Sequence, residues 1–306
     1  MIVKKMNISE IYPQIPDFGA YITTYFTEKS NEINFGKRPA IVIFPGGGYW
    51  FTSDREADPI ALKFASEGYQ VAIVRYSTKD KAKEAYYPQQ ILEGFAAINY
   101  IRDHADELNV DVNKVAVIGF SAGGHMAGMM GTLYGEKVVT DTFGKTAAQM
   151  RPDAMVLSYA VLSSGEFGHR DSFWHLLGDA AAHNPEMRKK VDVIENVTKD
   201  TPPAFLWTTF NDDCVPAQNS IMMATKMLEN GVPCELHMYH NMGHGASLCN
   251  FTVAGNPDIA KFDTNKEHVS GWIKLCMEWL REQMNIKFLS GDFLNGVFIR
   301  FSRSFL

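Results

Sequence analysis

Short apolar runs alternate with longer amphipathic segments along most of the chain. Short runs rich in apolar and β-branched residues predict buried strands. Such runs occur at 40–44, 71–75, 114–118, 153–158, 204–209 and 234–239. Segments with apolar residues three or four positions apart predict helices. These segments lie at 58–68, 88–108, 217–230 and 265–284. Strands and helices that alternate at this spacing predict an α/β fold, with a mostly parallel sheet and helices on both of its faces.

The opening part of the chain and a long central segment depart from this alternation. Residues 20–26 predict a strand that pairs antiparallel at one edge of the sheet. Residues 159–200, called the insertion below, contain no clear strand, are rich in Gly, His and Asn, and predict a helical stretch at 174–177. An insertion over the C-terminal edge of a sheet is where a lid or a substrate wall lies. A packed excursion without a binding role is an equally good interpretation.

The tail at 288–306 follows the last predicted helix and mixes aromatic residues with arginine. This composition is compatible with an added edge strand, with packing on a neighbouring subunit in a homo-oligomer, or with a poorly ordered end. We assign the tail no chemistry. We therefore expect one α/β domain over residues 1–287, with the insertion above one edge of its sheet.

Composition and charge narrow the class of protein. The chain has 306 residues, 46% of them hydrophobic and 21% charged, as in an ordinary globular protein. A net charge of −6 argues against nucleic acid as a partner. No segment approaches the length of a membrane span, and the first residues lack the apolar run of a secretory signal. The four cysteines have no C-x-x-C pairing and predict reduced thiols. We expect a cytoplasmic protein without a membrane partner.

A G-x-S-x-G motif at 119–123 is the strongest chemical signal. It lies between the predicted strand before it and a run of small residues after it. This layout predicts a strand, a tight turn and a helix, with the Ser121 hydroxyl exposed at the apex of the turn. Small residues at the two ends of the motif let the strand and the helix approach each other. The motif favours a serine hydrolase over a glycine-rich connection with a bystander serine.

A serine nucleophile needs a base beside it and an acid that orients the base. In sheets of this type the chain order is serine, acid, histidine, with the last two on loops after later strands. Asp212 and Asp213 come directly after one predicted strand, and His244 comes just after the next. We predict Ser121 as nucleophile, His244 as base and Asp212 as acid. Asp213 and His240 remain as alternatives for the acid and the base.

Two further histidines fit structural roles. His125 lies four residues after Ser121 on the predicted helix, where we expect a structural hydrogen bond. His237 lies within a predicted strand and is expected to be at least half buried. The chain has no H-E-x-x-H motif and no clustered His and Asp set, so we expect neither a metal nor a cofactor.

Three consecutive glycines follow the strand at 40–44. The glycine loop, residues 45–48, lets backbone N–H groups approach a developing oxyanion. We predict an oxyanion hole formed by the N–H groups of Gly47 and Gly48, with that of Ala122 as a further donor. A phosphate-binding loop is the competing interpretation. It is rejected because no Lys-Ser or Lys-Thr pair follows and the spacing is not G-x-G-x-x-G.

Six segments, taken in order, resemble a known family. They lie at 45–49, 55–61, 119–125, 201–207, 212–216 and 243–245. Together they are similar to α/β-hydrolase esterases related to acetyl xylan esterases and bifunctional feruloyl and acetyl esterases, near the prolyl-oligopeptidase-like hydrolases. The resemblance covers about residues 20–285. It implies the α/β-hydrolase fold, the same triad and the same oxyanion hole. One departure lies at 208–211, where many relatives carry His before a Thr or Gly.

The resemblance implies a serine carboxylesterase that removes short acyl groups, acetyl first, from carbohydrate such as acetylated xylo-oligosaccharides. The partner is then a small acylated molecule. Tyr49, Trp50, Tyr76 and Trp174 are candidates to stack on sugar faces, although the protein core accommodates aromatic residues at these positions equally well. An amide hydrolase of the arylformamidase or peptidase-like type, and a non-catalytic hydrolase-fold binding protein, remain as alternatives.

Overall fold

A mixed sheet of eight strands forms the frame of the protein. The computed structural model describes residues 1–32, 36–254 and 267–286. In chain order the strands are β1 (Ile2–Asn7), β2 (Tyr21–Phe26), β3 (Arg38–Phe44), β4 (Gln70–Arg75), β5 (Val110–Phe120), β6 (Ala154–Ser158), β7 (Ala204–Thr209) and β8 (Cys234–Tyr239). Across the sheet the order is β1-β2-β4-β3-β5-β6-β7-β8. Strand β2 pairs antiparallel with both β1 and β4, and all other neighbours pair parallel. The sequence predicts the antiparallel strand at 20–26 and the mostly parallel sheet, but β1 lies outside β2 and forms the edge.

Helices lie on both faces of this sheet. In chain order they are α1 (Ile8–Ile11), α2 (Asp58–Ser66), α3 (Gln89–Asp103), α4 (Ala122–Thr132), α5 (Lys137–Phe143), α6 (Ala147–Met150), α7 (Arg170–Leu177), α8 (Asp179–Ala182), α9 (Pro185–Val191), α10 (Gln218–Glu229), α11 (Glu267–Ser270) and α12 (Trp272–Gln283). Short 3₁₀ turns lie at Asp54–Glu56 and Phe251–Val253. Helices α3, α4 and α10 pack in one hydrophobic core, and α2 and α12 pack in the other.

Strand β3 shows why the central strands read as continuous apolar runs. Ala40, Val42 and Phe44 belong to the core on one face of the sheet, whereas Ile41 and Ile43 belong to the core on the other face. All five side chains are fully buried. Because successive side chains of a strand point to opposite faces, a strand covered on both sides must be apolar at every position.

Several boundaries differ from the sequence-based expectation. The helix predicted at 88–108 ends at Asp103, and a series of turns leads from there into β5. The helix predicted at 265–284 is divided into α11 and α12, with Gly271 as the N-cap of the second. Strand β1 was not predicted, because most of its side chains are exposed at the edge of the sheet and carry no apolar pattern.

The insertion contains helices α7, α8 and α9 and no strand among the described residues. The predicted helical stretch at 174–177 is the second half of α7. The tail at 288–306 lies outside the described residues, so the three arrangements that its sequence allows (an added edge strand, a contact with a neighbouring subunit and a poorly ordered end) stay predictions. Within the described ranges, no helix combines the length and the apolar character that crossing a membrane requires.

Candidate active site

Ser121 occupies the sharp turn between β5 and α4. Its backbone has φ 54° and ψ −120°, a region that residues with a side chain rarely adopt. Glycine is required around it: a Cβ on Gly119 would lie 1.9 Å from the carbonyl oxygen of Gly123, and a Cβ on Gly123 would lie 2.0 Å from that of Phe44. The N–H of Ser121 donates to the carbonyl of Ser158 at 3.0 Å, which ties the turn to β6. The G-x-S-x-G pattern therefore has a steric cause.

The structure brings Ser121, His244 and Asp212 into one chain of hydrogen bonds. His244 Nε2 lies 2.8 Å from Ser121 Oγ, and His244 Nδ1 lies 2.8 Å from Asp212 Oδ2. The other carboxylate oxygen, Asp212 Oδ1, accepts the N–H groups of Cys214 at 3.0 Å and Val215 at 2.8 Å. The side chain of Asp212 is 1% exposed and that of His244 is 16% exposed. This geometry lets His244 accept the proton of the Ser121 hydroxyl.

The alternatives for acid and base lie outside this chain. Asp213 and His240 are both exposed at the surface. His237 is half buried in β8, where its Nε2 lies 2.6 Å from Glu235 Oε1. The geometry therefore favours Asp212 over Asp213, and His244 over His240.

His125 holds together the layer beneath Ser121. Its Nε2 donates to the carbonyl oxygen of Val191 at 2.7 Å, and its Nδ1 accepts the hydroxyl of Tyr49 at 2.8 Å. Burial lowers the pKa of His125 to about 4, so the ring is neutral at neutral pH. The expected structural hydrogen bond is present, and it links α4 to the end of α9 and to the residue that follows the glycine loop.

The glycine loop runs directly against Ser121. A Cβ on Gly46 would lie 3.0 Å from Ser121 Cβ, and one on Gly47 would lie 2.2 Å from the carbonyl oxygen of Phe51. Gly47 and Gly48 have φ of 128° and 63°, in the left-handed region that favours glycine. Ala122 is the first residue of α4, where N–H groups have no partner within the helix. Among the described residues, no hydrogen bond uses the N–H of Gly47, Gly48 or Ala122.

A buried carboxylate that sequence reasoning missed links the glycine loop to the loop that carries His244. Glu56 is 3% exposed. Its Oε2 accepts the N–H of Gly46 at 2.8 Å, and its Oε1 accepts the hydroxyl of Tyr159 at 2.6 Å. The same hydroxyl accepts the N–H of Ser247 at 2.9 Å, and the Tyr159 ring packs edge-on to His244 with centroids 5.1 Å apart. Burial raises the pKa of Tyr159 well above its usual value, so the hydroxyl remains a donor.

We expect Tyr159→Phe to lower the kcat for p-nitrophenyl acetate roughly tenfold or more, because Glu56 and the N–H of Ser247 each lose a buried partner. The ring against His244 is retained. Steady-state kinetics and urea unfolding measure the two effects. Tyr76→Phe is the matched control, since the Tyr76 hydroxyl donates to the carbonyl of Pro45 at 2.6 Å in the same loop without reaching the His244 loop. Equal kcat values for the two variants would contradict the link.

The departure from the family pattern at 208–211 has a structural role. The hydroxyl of Thr209 donates to the carbonyl of Met242 at 2.5 Å. Asn211 accepts the N–H of Met242 at 2.9 Å and donates to Asn241 Oδ1 at 2.6 Å. These three bonds hold the loop of the acid against the loop of the base. The residues that replace the family pattern therefore support the Asp212–His244 pair.

Two of the four aromatic residues predicted to stack on sugars are buried. Tyr49 is 1% exposed and Tyr76 is 3% exposed, and both hydroxyls are bonded within the protein. Their rings lie 5.6 Å apart beneath the glycine loop. The interpretation of these two side chains as sugar platforms is corrected accordingly: they support the loop from below.

The other two aromatic residues present half of their surface to solvent. Trp50 is 50% exposed and packs on His175, with ring centroids 5.3 Å apart. Trp174 is 47% exposed and packs on His183 at 6.0 Å. Both side chains are therefore accessible to solvent.

Helix α7 of the insertion lies beside the glycine loop. His175 Nδ1 lies 2.7 Å from the carbonyl oxygen of Gly48 and donates to it. A Cβ on Gly48 would lie 3.9 Å from Ser172 Oγ and 4.0 Å from His169 Cε1. These distances place α7 next to the glycine loop. In the part of the chain that the structure describes, no group of three or more His, Cys, Asp or Glu side chains could hold a metal ion.

Comparison with known proteins decides the family. The model of the BD-FAE family matches residues 29–227. The chain belongs to the BD-FAE family. Among curated proteins it is 29% identical to endo-1,4-beta-xylanase B of Butyrivibrio fibrisolvens over 245 residues, which are 80% of this chain and 36% of that protein. It is 28% identical to an acetylxylan esterase of Xylanibacter ruminicola over 67% of this chain and 40% of that protein.

The chain thus spans less than half the length of either of these two curated relatives. One solved structure matches almost the whole of this chain. It is that of the acetyl ester-xyloside bifunctional hydrolase from Caldicellulosiruptor lactoaceticus, which is 30% identical, has a TM-score of 0.78, and matches over 93% of this chain and 97% of that one. The predicted α/β-hydrolase fold and the family resemblance are confirmed. The names of these relatives agree with the prediction of a carboxylic ester hydrolase.

Proposed function

We propose that this BD-FAE protein is a serine carboxylesterase that removes short acyl groups, acetyl first, from carbohydrate esters such as acetylated xylo-oligosaccharides. The observation that carries the proposal is the chain of hydrogen bonds from Asp212 through His244 to Ser121. The N–H groups of the neighbouring glycine loop support it, because a serine nucleophile needs donors for the oxyanion.

The proposed mechanism uses these groups in sequence. His244 Nε2 takes the proton of Ser121 Oγ as that oxygen attacks the ester carbonyl. Asp212 holds the imidazole in the required tautomer and stabilises the imidazolium. The N–H groups of Gly47, Gly48 and Ala122 bind the oxyanion, and each such donor lowers the barrier by about 3 kcal/mol. The alcohol leaves with the proton from His244, and water then hydrolyses the acyl-enzyme by the same route.

The carbohydrate part of the proposal rests on likeness and on two exposed rings. One relative is named an acetylxylan esterase and another an acetyl ester-xyloside hydrolase. Trp50, on the glycine-loop side, and Trp174, on α7, offer apolar faces of the kind on which sugar rings stack. The proposed substrate is therefore a small acylated sugar, with its alcohol half against the insertion.

We expect the protein to release acetate from acetylated xylo-oligosaccharides, and to hydrolyse p-nitrophenyl acetate with a higher kcat/KM than the butyrate or octanoate esters. Steady-state kinetics on this set of substrates is the measurement. Faster turnover of N-formylkynurenine than of any ester would favour the amide hydrolase instead. Failure of a fluorophosphonate to label the protein would favour a non-catalytic binding protein.

A further inference from the structure

His169 lies where the insertion turns into helix α7, next to the glycine loop. Its Cε1 atom is 4.0 Å from the point that a Cβ on Gly48 would occupy, so the ring and the loop nearly touch. The charges of His244 and Asp212 both act on the His169 ring, which places it within electrostatic reach of the proposed triad. His169 therefore borders the site on the side of the insertion.

Hydrogen bonding determines which nitrogen of His169 carries the proton. Nδ1 accepts the N–H of Ser172 at 3.3 Å, lies 2.8 Å from Ser172 Oγ, and so caps helix α7. A backbone N–H can only donate, so Nδ1 offers its lone pair and the proton of the neutral ring is on Nε2. Burial lowers the pKa of His169, which favours the neutral ring at neutral pH.

The Nε2–H of His169 is a donor that the described protein does not use. No hydrogen bond between residues of 1–32, 36–254 and 267–286 engages this atom. His175 differs, because its Nδ1–H donates to the carbonyl of Gly48 and so attaches α7 to the glycine loop. The ring of His169 is thus fixed through Nδ1, whereas its second nitrogen is available to a ligand beside the loop.

We propose that His169 is a specificity-determining residue that donates its Nε2–H to a hydroxyl of the alcohol half of the substrate. The inference rests on the proposed function. The alcohol half is the partner because the leaving oxygen must lie beside His244, which returns a proton to it, whereas the ester carbonyl has backbone donors of its own. A sugar carries a hydroxyl on the carbon next to the acylated one, and a simple alcohol does not.

Two substitutions of His169 distinguish its proposed role as a donor to the substrate from its role as the N-cap of α7. Asparagine is a favoured N-cap residue, so His169→Asn keeps an acceptor for the N–H of Ser172 and withdraws the donor from the site. His169→Gln does the reverse, since its amide nitrogen reaches toward the position of Nε2 but glutamine is not among the favoured caps. The probes are a methyl β-xyloside with one acetyl group and cyclohexyl acetate, whose ring carries no hydroxyl.

We expect His169→Asn to lower kcat/KM for the acetyl xyloside roughly tenfold, the effect of one hydrogen bond, and His169→Gln to retain most of it. Cyclohexyl acetate should be hydrolysed at similar rates by all three proteins. Wild-type kcat/KM in His169→Asn, or a larger loss in His169→Gln, would assign His169 to the cap alone. Equal losses on both substrates would also overturn the alcohol-side assignment. Wild-type protein active only on cyclohexyl acetate would instead refute the proposed function and this assignment together.

Discussion

Ser121→Ala is expected to abolish the hydrolysis of p-nitrophenyl acetate, lowering kcat by roughly 10⁴- to 10⁶-fold. The reason is that the proposed acyl-enzyme forms on Ser121 Oγ, and the remaining groups can only polarise the ester and orient water. The fold should survive, because alanine and serine tolerate φ 54° equally and the hydroxyl bonds only to His244 among the described groups. Kinetics and thermal unfolding of the variant measure both statements.

Labelling by a fluorophosphonate provides an independent readout of the same residue. We expect the reagent to label the wild-type protein and to fail with Ser121→Ala. Ser66→Ala is a suitable control, since Ser66 is exposed near the end of α2 and its hydroxyl donates to the carbonyl of Lys63 at 2.7 Å. A Ser121→Ala protein that keeps its kcat, or that is still labelled, would show that another residue is the nucleophile.

The proposed triad could be predicted from sequence because its signals are local. The turn at Ser121 requires glycine at fixed offsets, since a Cβ at either flanking position would overlap a backbone oxygen. Asp212 and His244 then follow from the rule that the C-terminal ends of parallel strands meet at one edge of the sheet. The parallel pairing of β5, β6, β7 and β8 provides that edge.

The residues that connect these parts could not be predicted in the same way. Glu56, in the 3₁₀ turn before α2, and Tyr159, which directly follows β6, are 103 positions apart in the chain and meet only in the folded protein. A glutamate directly before a helix is usually solvated, so its burial has no signature in the sequence. The burial of Tyr49 could not be predicted either, because an aromatic residue after a glycine loop is equally common in a core and in a binding site. In each case the packing partner, and not the local pattern, decides the role.

His169 shows that residues proposed to determine substrate specificity are equally hard to predict from the sequence. Its Nδ1 caps helix α7 by accepting the N–H of Ser172, and the ring has a second nitrogen that the cap does not use because the residue is histidine. The sequence does not predict this cap, since histidine is not among the favoured N-cap residues. Its position beside Gly48 depends on how the insertion folds over the sheet, and the insertion has no periodic pattern that fixes this. The proposed recognition of the alcohol half therefore depends on tertiary structure, whereas the proposed ester chemistry can be predicted from sequence motifs.

Asp212→Asn and Asp213→Asn test directly which of the two aspartates is the acid of the proposed triad. Asp212 Oδ1 accepts two backbone N–H groups, so in Asp212→Asn the amide oxygen must keep that side and the NH₂ group must face His244. His244 Nδ1 then has to accept, the proton moves to Nε2, and the ring can no longer take the proton of Ser121. We expect kcat for p-nitrophenyl acetate to fall roughly 10⁴-fold with little change in KM.

Asp213→Asn should stay within about a factor of three of the wild-type kcat, because its exposed side chain lies outside the hydrogen-bond chain. The two variants remove the same charge at adjacent positions, so a loss that came only from the change in net charge would lower both rates. A loss confined to position 212 requires the direct contact between Asp212 and His244, which sets the tautomer and stabilises the imidazolium. A larger loss in Asp213→Asn would assign the acid to Asp213 and would require the loop after β7 to bind His244 in a different arrangement.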